Sequence, residues 1–157
     1  MEITLTRGKI AIVDESDFAY LSLFRWQYLN TGTGYAKTSI YINAKKSVEV
    51  LMHRMVMDYP KGLEVDHING NGLDNRKSNL RLCSRTQNCQ NRGLTKGKTY
   101  KGVSLKKDPW RIKKYCARIV VNGKEKHLGH FATEIEANRA YINACHRYFG
   151  DFARSKL

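Results

Sequence analysis

Acidic residues are scarce in this sequence. Asp and Glu number 14 against 28 Lys and Arg in 157 residues, so the formal net charge is +14. A surface this basic attracts an acidic partner, and nucleic acid is the most abundant candidate. A small acidic substrate would not need so much charge.

Long apolar runs and paired cysteines are also missing. No stretch approaches the roughly 20 apolar residues of a membrane span, and the start, Met1–Thr4, lacks the basic-then-apolar order of a signal peptide. The four cysteines include no C-x-x-C pair, which argues against a zinc ribbon or a redox motif. We therefore expect a protein of the cytoplasm, where thiols stay reduced. Only two prolines and a hydrophobic fraction of 41% indicate a folded chain.

The length suits one ordinary domain or two small ones. Residues 93–99 contain two glycines and show no hydrophobic periodicity, so they are predicted to be a linker. Residues 1–99 hold 15 basic and 9 acidic residues, whereas residues 100–157 hold 13 and 5. We therefore predict an N-terminal α+β region at 1–92 and a more basic C-terminal domain at 100–157.

The N-terminal region reads as short strands and one helix. Strands are expected at Ile3–Leu5 and Lys9–Val13, a helix after an N-cap at Asp14 or Ser16, and a further strand from Tyr35 to Ile42. Val50–Met57 is an apolar segment that carries His53 and Arg54.

The C-terminal region has clearer local signals. Asn122-Gly123 between two strand-like runs, Tyr115–Val121 and Lys124–Phe131, predicts a two-residue hairpin. Counting across the turn pairs Arg118 with His127 and Ala117 with Leu128. Thr133 and Glu136 predict a capping box, and the following apolar stripe predicts a helix up to Gly150. With Tyr100–Ser104 as a third strand, we expect a three-stranded antiparallel sheet packed on one helix, with an open basic face.

Asp66 and His67 open a polar loop that no regular element explains. They are followed by Asn79 and Asn88, and this set resembles the HNH nuclease motif, a ββα-metal arrangement of two strands and a helix. The resemblance covers residues 50–92 and has Asn88 at the third position, as in its homing-endonuclease branch. It implies that Asp66 and Asn88 bind the metal and that His67 and Asn79 are catalytic.

The residue types fit that chemistry independently. Carboxylate and amide oxygens suit Mg²⁺ or Mn²⁺, and an imidazole titrates near neutrality, as a general base must. Asn79 either orients the loop or orients the imidazole. Asn75 is expected to be a loop residue. A zinc site formed by Cys83, Cys89 and either His53 or His67 is an alternative without the usual tight ligand spacing.

Residues from Tyr100 to about Ala153 resemble the Apetala-type, or ethylene-response-factor, DNA-binding domain. In that family the open sheet face enters the major groove. The resemblance implies DNA contacts from one set of side chains: Lys101, Ser104, Lys106, Arg118, His127 and His130. Trp110, in a longer connection than that of the plant domain, is either a loop anchor or a residue that stacks on DNA.

Together these features predict a Mg²⁺- or Mn²⁺-dependent HNH endonuclease of the homing type that nicks duplex DNA. The resemblance implies a bacterial or phage-infected cell, and we expect a monomer or weak dimer without a membrane association or a small-molecule cofactor. The alternatives are a catalytically inactive DNA-binding regulator and a basic RNA-binding protein.

Overall fold

A computed structural model describes residues 1–90, 94, 99–108, 110 and 112–153. The chain divides into two compact units, Met1–Asn88 and Cys89–Leu157. Most of the predicted linker, residues 93–99, lies outside the described residues, with only Leu94 and Thr99 inside them. No described helix is long and apolar enough to cross a membrane.

The first unit is built from short antiparallel strands and short helices. Its strands are β1 (Glu2–Thr4), β2 (Ile10–Ile12), β3 (Gln27–Leu29), β4 (Tyr35–Asn43), β5 (Lys46–Leu51), β6 (Glu64–His67) and β7 (Leu80–Cys83). Its helices are α1 (Glu15–Leu21), α2 (Met52–Val56) and the start of α3 (Arg85–Gln90). β1 pairs with β2, β3-β4-β5 form one sheet, and β6 pairs with β7. The apolar segment at Val50–Met57 is therefore the end of β5 followed by α2.

One hydrophobic core joins these pieces. Trp26 and Met52 are buried at its centre, and the Trp26 indole N–H donates to the carbonyl of Leu21 at 2.8 Å. Val65 of β6 and Leu80 of β7 pack into the same core. The hairpin that carries Asp66 and His67 is thus anchored by its apolar neighbours.

The second unit contains β8 (Val103–Leu105), β9 (Tyr115–Val121), β10 (Lys124–Phe131) and α4 (Glu134–Phe149). The three strands form one antiparallel sheet in the order β10-β9-β8, and α4 packs on one face through Ile119, Tyr141 and Cys145. The capping box predicted at Thr133 is present, with both reciprocal hydrogen bonds. The sheet-on-helix architecture predicted for this region is confirmed.

Two local predictions for the second unit were wrong. The third strand begins at Val103 instead of Tyr100, because residues 101 and 102 form a turn. The pairing of Ala117 with Leu128 is also wrong: Arg118 does pair with His127, but the register then shifts and Ala117 pairs with Gly129. The extra residue is a β-bulge, and Gly129 at φ +136° adopts a backbone conformation that residues with a Cβ rarely accept.

Candidate functional site

The prediction that Asp66 and His67 lie in the polar loop was wrong, because both pair with β7 as the last two residues of strand β6. Their side chains lie on opposite sides of the β6–β7 hairpin, because successive side chains of a strand alternate. Asp66 pairs in register with Arg81, and His67 pairs with Leu80. The two adjacent residues consequently have different surroundings.

His67 is buried among aromatic rings. Its imidazole lies 4.9 Å from that of His53 and 5.8 Å from the ring of Tyr35, measured between centroids. Its Nε2 lies 3.2 Å from Oδ1 of Asn75. This contact holds the orientation of the imidazole ring. His67 remains 5% exposed, so little of its side chain is accessible to a substrate.

Burial keeps both histidines neutral. Desolvation lowers the pKa of His67, and the hydrogen bond with Asn75 and the nearby carboxylates of Asp66 and Asp74 oppose that effect. For His53, burial together with the neighbouring His67 and Arg54 lowers the pKa to about 3. A neutral imidazole is the form that accepts a proton.

Asn79 holds the polar loop together. Its Nδ2 donates to the carbonyl of Asp74 at 2.7 Å and to Oδ1 of Asn69 at 3.1 Å, while its Oδ1 accepts from the backbone N–H of Asn69 at 3.0 Å. Of the two roles left open for Asn79, these contacts correspond to orienting the loop. The loop in turn carries Asn75, which contacts His67.

The N-terminal hairpin fixes the far side of the same loop. The Ile12 N–H donates to the carbonyl of Leu73 at 2.8 Å, and the Ile12 carbonyl accepts from the Asn75 N–H at 2.7 Å. The carboxylate of Asp14 accepts from the Lys77 N–H at 2.7 Å. The backbone of Asn75 is thus set by a strand more than 60 residues earlier in the chain.

Asp66 forms a nearly buried ion pair with Arg81. Its Oδ2 accepts from Nη2 at 2.7 Å and from Nε at 2.9 Å. The guanidinium compensates a carboxylate that would be costly to bury alone. A cation that binds Asp66 competes with Arg81 for this oxygen.

Asn88, on α3, contacts the same side of the hairpin as Asp66. Its Nδ2 donates to Oε2 of Glu64 at 2.6 Å, and Glu64 lies two residues before Asp66 on that strand face. Same-face side chains of a strand lie about 7 Å apart. Glu64 therefore contacts Asn88 and shares a strand face with Asp66, which makes it a further oxygen donor on the side of the two predicted ligands. An all-oxygen set of this kind fits a hard cation such as Mg²⁺ or Mn²⁺.

The alternative zinc site is not supported. Cys83 is buried with its thiol directed at the Glu64 carbonyl, and Cys89 is exposed. Neither cysteine belongs to a group of three metal-ligating side chains within the described part of the chain.

In the second unit, several of the predicted DNA contacts lie together. Lys101, Ser104 and Arg118 line one cleft on the sheet face opposite α4. Two of them already have protein partners: Lys101 Nζ donates to the Gln90 carbonyl at 2.8 Å, and Arg118 Nη1 donates to Glu125 Oε1 at 2.8 Å.

The remaining predicted contacts differ in their surroundings. His127 and His130 are neighbours, with ring centroids 4.7 Å apart. Lys106 follows β8 and its N–H donates to the Lys114 carbonyl, extending the sheet by one bond. Trp110 is 92% exposed, which contradicts the loop-anchor alternative and leaves its indole available for stacking.

The β6–β7 hairpin, the helix α3 and the Asp66-His67 pair all lie within the segment that matches a known family. The family model described as HNH endonuclease matches residues 52–90. An uncharacterized HNH endonuclease of Acanthamoeba polyphaga mimivirus is 30% identical over 155 residues, which is 95% of this chain and 76% of that protein. No solved structure matches. The chain belongs to the HNH endonuclease family.

Four residues of the site were not predicted to be functional from the sequence. Asn75 was assigned to the loop only, and Tyr35, Glu64 and Arg81 were not singled out. The Asn-rich loop was itself a signal for Asn75. The other three reach the site through strand register and packing, which short motifs do not report.

Proposed function

We propose that this HNH-family chain is a metal-dependent DNA endonuclease of the homing type, with His67 as the general base. The observation that carries the proposal is a buried, neutral imidazole at the end of β6, next in sequence to a carboxylate on the other face of the hairpin. Hydrolysis of a phosphodiester requires a water to lose its proton and positive charge at the departing oxygen.

In this proposal the neutral imidazole of His67 accepts the proton of the attacking water. Asn75 orients the ring, and Asn79 acts as a positioning residue by fixing the loop that presents Asn75. Tyr35 and His53 exclude bulk water from the inner side of the ring, which prevents the base from being protonated at neutral pH.

Asp66 and Asn88 are proposed to hold Mg²⁺ or Mn²⁺, with Glu64 adjoining them. The bound cation supplies the positive charge that stabilises the departing 3′ oxygen. Arg81 neutralises Asp66 until the cation binds and then offers its guanidinium to a neighbouring phosphate. By resemblance to the family, the products carry 5′-phosphate and 3′-hydroxyl ends.

The second unit is proposed to be an Apetala/ethylene-response-factor-like domain that reads duplex DNA through its open sheet face. The architecture of three antiparallel strands on one helix supports this assignment, as does the excess of basic residues. A reading domain joined to the nuclease raises the local concentration of DNA at the active site. With one site per chain, each encounter produces a single nick.

Conversion of supercoiled plasmid to the nicked form tests the proposal. The full chain is assayed with Mg²⁺ or Mn²⁺ and after chelation, beside His67→Ala, Asp66→Ala and the control His146→Ala, an exposed position on α4. We expect nicking by the wild type and the control only with metal. We expect a loss of at least about 100-fold in both site variants, the scale of general-base catalysis. DNA binding, measured separately, should survive His67→Ala.

A catalytically inactive DNA-binding regulator is the second candidate. Two observations favour it: the small exposure of His67 and the engagement of Asp66 by Arg81. It predicts DNA binding without nicking at any metal concentration, in the wild type as in His67→Ala.

A further inference from the structure

The open face of the C-terminal sheet carries a cluster of sulfur and nitrogen donors. The Sγ of Cys116 and one ring nitrogen each of His127 and His130 all lie within 4.8 Å of one another. We propose that these three side chains bind a Zn²⁺-like transition-metal ion, at a site separate from the nuclease centre.

The β-bulge builds this cluster. Cys116 and His130 are directly paired across β9 and β10, so their side chains emerge on the same face. His127 is three residues before His130 and would point to the opposite face in a regular strand. The register shift between His127 and Gly129 restores it to the face of His130. The bulge therefore brings both imidazoles next to the thiol of Cys116.

The donor chemistry selects the ion. Thiolate and imidazole are ligands for Zn²⁺ and similar ions, whereas Mg²⁺ prefers oxygen. Cys116 binds as the thiolate and releases its proton to solvent, and both imidazoles bind neutral. The two units would therefore take different metals: a hard cation at Asp66 and Asn88, and a thiophilic one on the sheet.

The geometry needs only a small adjustment. Zn–S bonds of about 2.3 Å and Zn–N bonds of about 2.0–2.1 Å place tetrahedral ligand atoms roughly 3.3–3.6 Å apart. The ligand atoms must approach by at most about 1.2–1.5 Å from their present limit of 4.8 Å. His127 is exposed and His130 half-buried, so their rings have room to turn, whereas Cys116 is fully buried and fixed.

Arg118 lies beside the sulfur. Its Nε–H donates to Cys116 Sγ at 3.4 Å, and its Nη1 donates to Glu125. This donor stabilises negative charge on the sulfur, and Glu125 offsets the guanidinium charge near an incoming cation. Three protein ligands leave a fourth position on the solvent side for water.

A bound ion would join β9 to β10 across the bulge and stiffen the face that is proposed to read DNA. The nitrogens that bind the ion cannot also contact DNA. This inference therefore changes the role of His127 and His130 from direct contacts to metal ligands, and leaves Arg118, Ser104 and Lys101 to face the nucleic acid.

The test uses the full chain, freed of metal with a chelator and titrated with Co²⁺ and Zn²⁺. We expect one Co²⁺ equivalent to give a sulfur-to-cobalt charge-transfer absorption that Zn²⁺ abolishes. His127→Ala and Cys116→Ser should lose this absorption. Their metal affinity should fall by more than the roughly 10–100-fold that follows from mutating a residue that only supports a ligand. The controls His146→Ala and Cys89→Ser alter exposed residues outside the cluster and should retain it.

Because Cys116 is buried, its variant requires a check of folding by circular dichroism, and exposed His127 provides the variant that keeps the fold. Zinc should also raise the unfolding temperature of the wild type but not of His127→Ala. The proposal is overturned if the wild type shows no charge-transfer band, or if His127→Ala keeps the wild-type band and affinity. None of these readouts involves cleavage or the oxygen donors at Asp66, so their outcome is independent of the proposed nuclease activity.

Discussion

The two buried histidines couple the stability of the first unit to pH. His53 has a pKa of about 3 in the folded chain against an ordinary value of 6.5. The unfolded chain therefore binds a proton that the folded chain excludes, and stability falls as pH drops below 6.5. The slope is about 1.4 kcal/mol per pH unit down to the folded pKa.

His53→Phe removes this imidazole and keeps a ring against Tyr35 and His67. Between pH 6.5 and 5, we expect the free energy of unfolding to fall less steeply in the variant than in the wild type. The difference in slope is about 1.4 kcal/mol per pH unit. Chemical denaturation at several pH values measures the difference. An unchanged pH slope in the variant would show that His53 is protonated in the folded chain. His146→Phe, on the exposed face of α4, serves as the matched control.

Arg81 offers a second test at the scale of one residue. Arg81→Gln leaves the carboxylate of Asp66 without its strongest partner at a site where both side chains are nearly buried. Breaking a buried pair costs about 3–5 kcal/mol. We expect the variant to be destabilised on that scale without metal and to recover part of the loss in Mg²⁺.

Lys77→Gln, which breaks an exposed pair with Asp17, is the control for Arg81→Gln. We expect it to cost no more than about 1 kcal/mol, and to be insensitive to Mg²⁺. Equal responses of the two variants to Mg²⁺ would contradict the assignment of Asp66 as a ligand.

At the scale of elements, the polar loop between β6 and β7 is held from two directions. Asn79 binds it from within, and Ile12 of β2 binds its far side through backbone hydrogen bonds. Asn79→Ala removes the donor to the Asp74 carbonyl and the acceptor for the Asn69 N–H. Each unsatisfied buried group costs about 1–3 kcal/mol.

We therefore expect Asn79→Ala to lose hydrogen-exchange protection at the Asn69 amide and nicking activity together. The measurement is exchange of that amide by NMR beside the plasmid assay. Full protection with lost activity would contradict a positioning role and indicate a direct contact with substrate. Asn71→Ala, an exposed position of the same loop, is the control.

The elements that the sequence predicted best are those with local signals. The turn at Asn122-Gly123 and the capping box at Thr133 depend on residues within four positions of each other, and both are present. The bulge at Gly129 was missed because one extra residue in a strand leaves the hydrophobic alternation almost unchanged. Its consequence, the meeting of His127 with His130 and Cys116, was missed with it.

For the molecule as a whole, a functional role for the Asp66-His67 pair could be predicted from the sequence motif. The side chains that surround the pair could not. His53, Tyr35 and Asn75 reach His67 from three separate segments, which only the fold brings together. The polarity of Asp66 predicted a metal ligand, whereas its ion pair with Arg81 follows from the register of β6 against β7.

The net charge of +14 predicts how the whole chain binds DNA. Binding by phosphate neutralisation releases counterions, so log affinity should fall linearly with log salt at about 0.9 per phosphate contact. We expect Lys106→Ala to reduce this slope by about 1 if its side chain contacts a phosphate. A fluorescence titration over a salt series measures it, and an unchanged slope would remove Lys106 from the interface.

The central claim is that His67 accepts the proton of the attacking water. The most direct test is the pH dependence of single-turnover nicking at saturating Mg²⁺. Because burial lowers the pKa of His67, the wild-type rate should be level near pH 7 and fall only below pH 6.5. His67→Ala, still bound to DNA, should be at least about 100-fold slower and lack that break. Nicking by His67→Ala at the wild-type rate, or with the same acidic limb, would contradict the account.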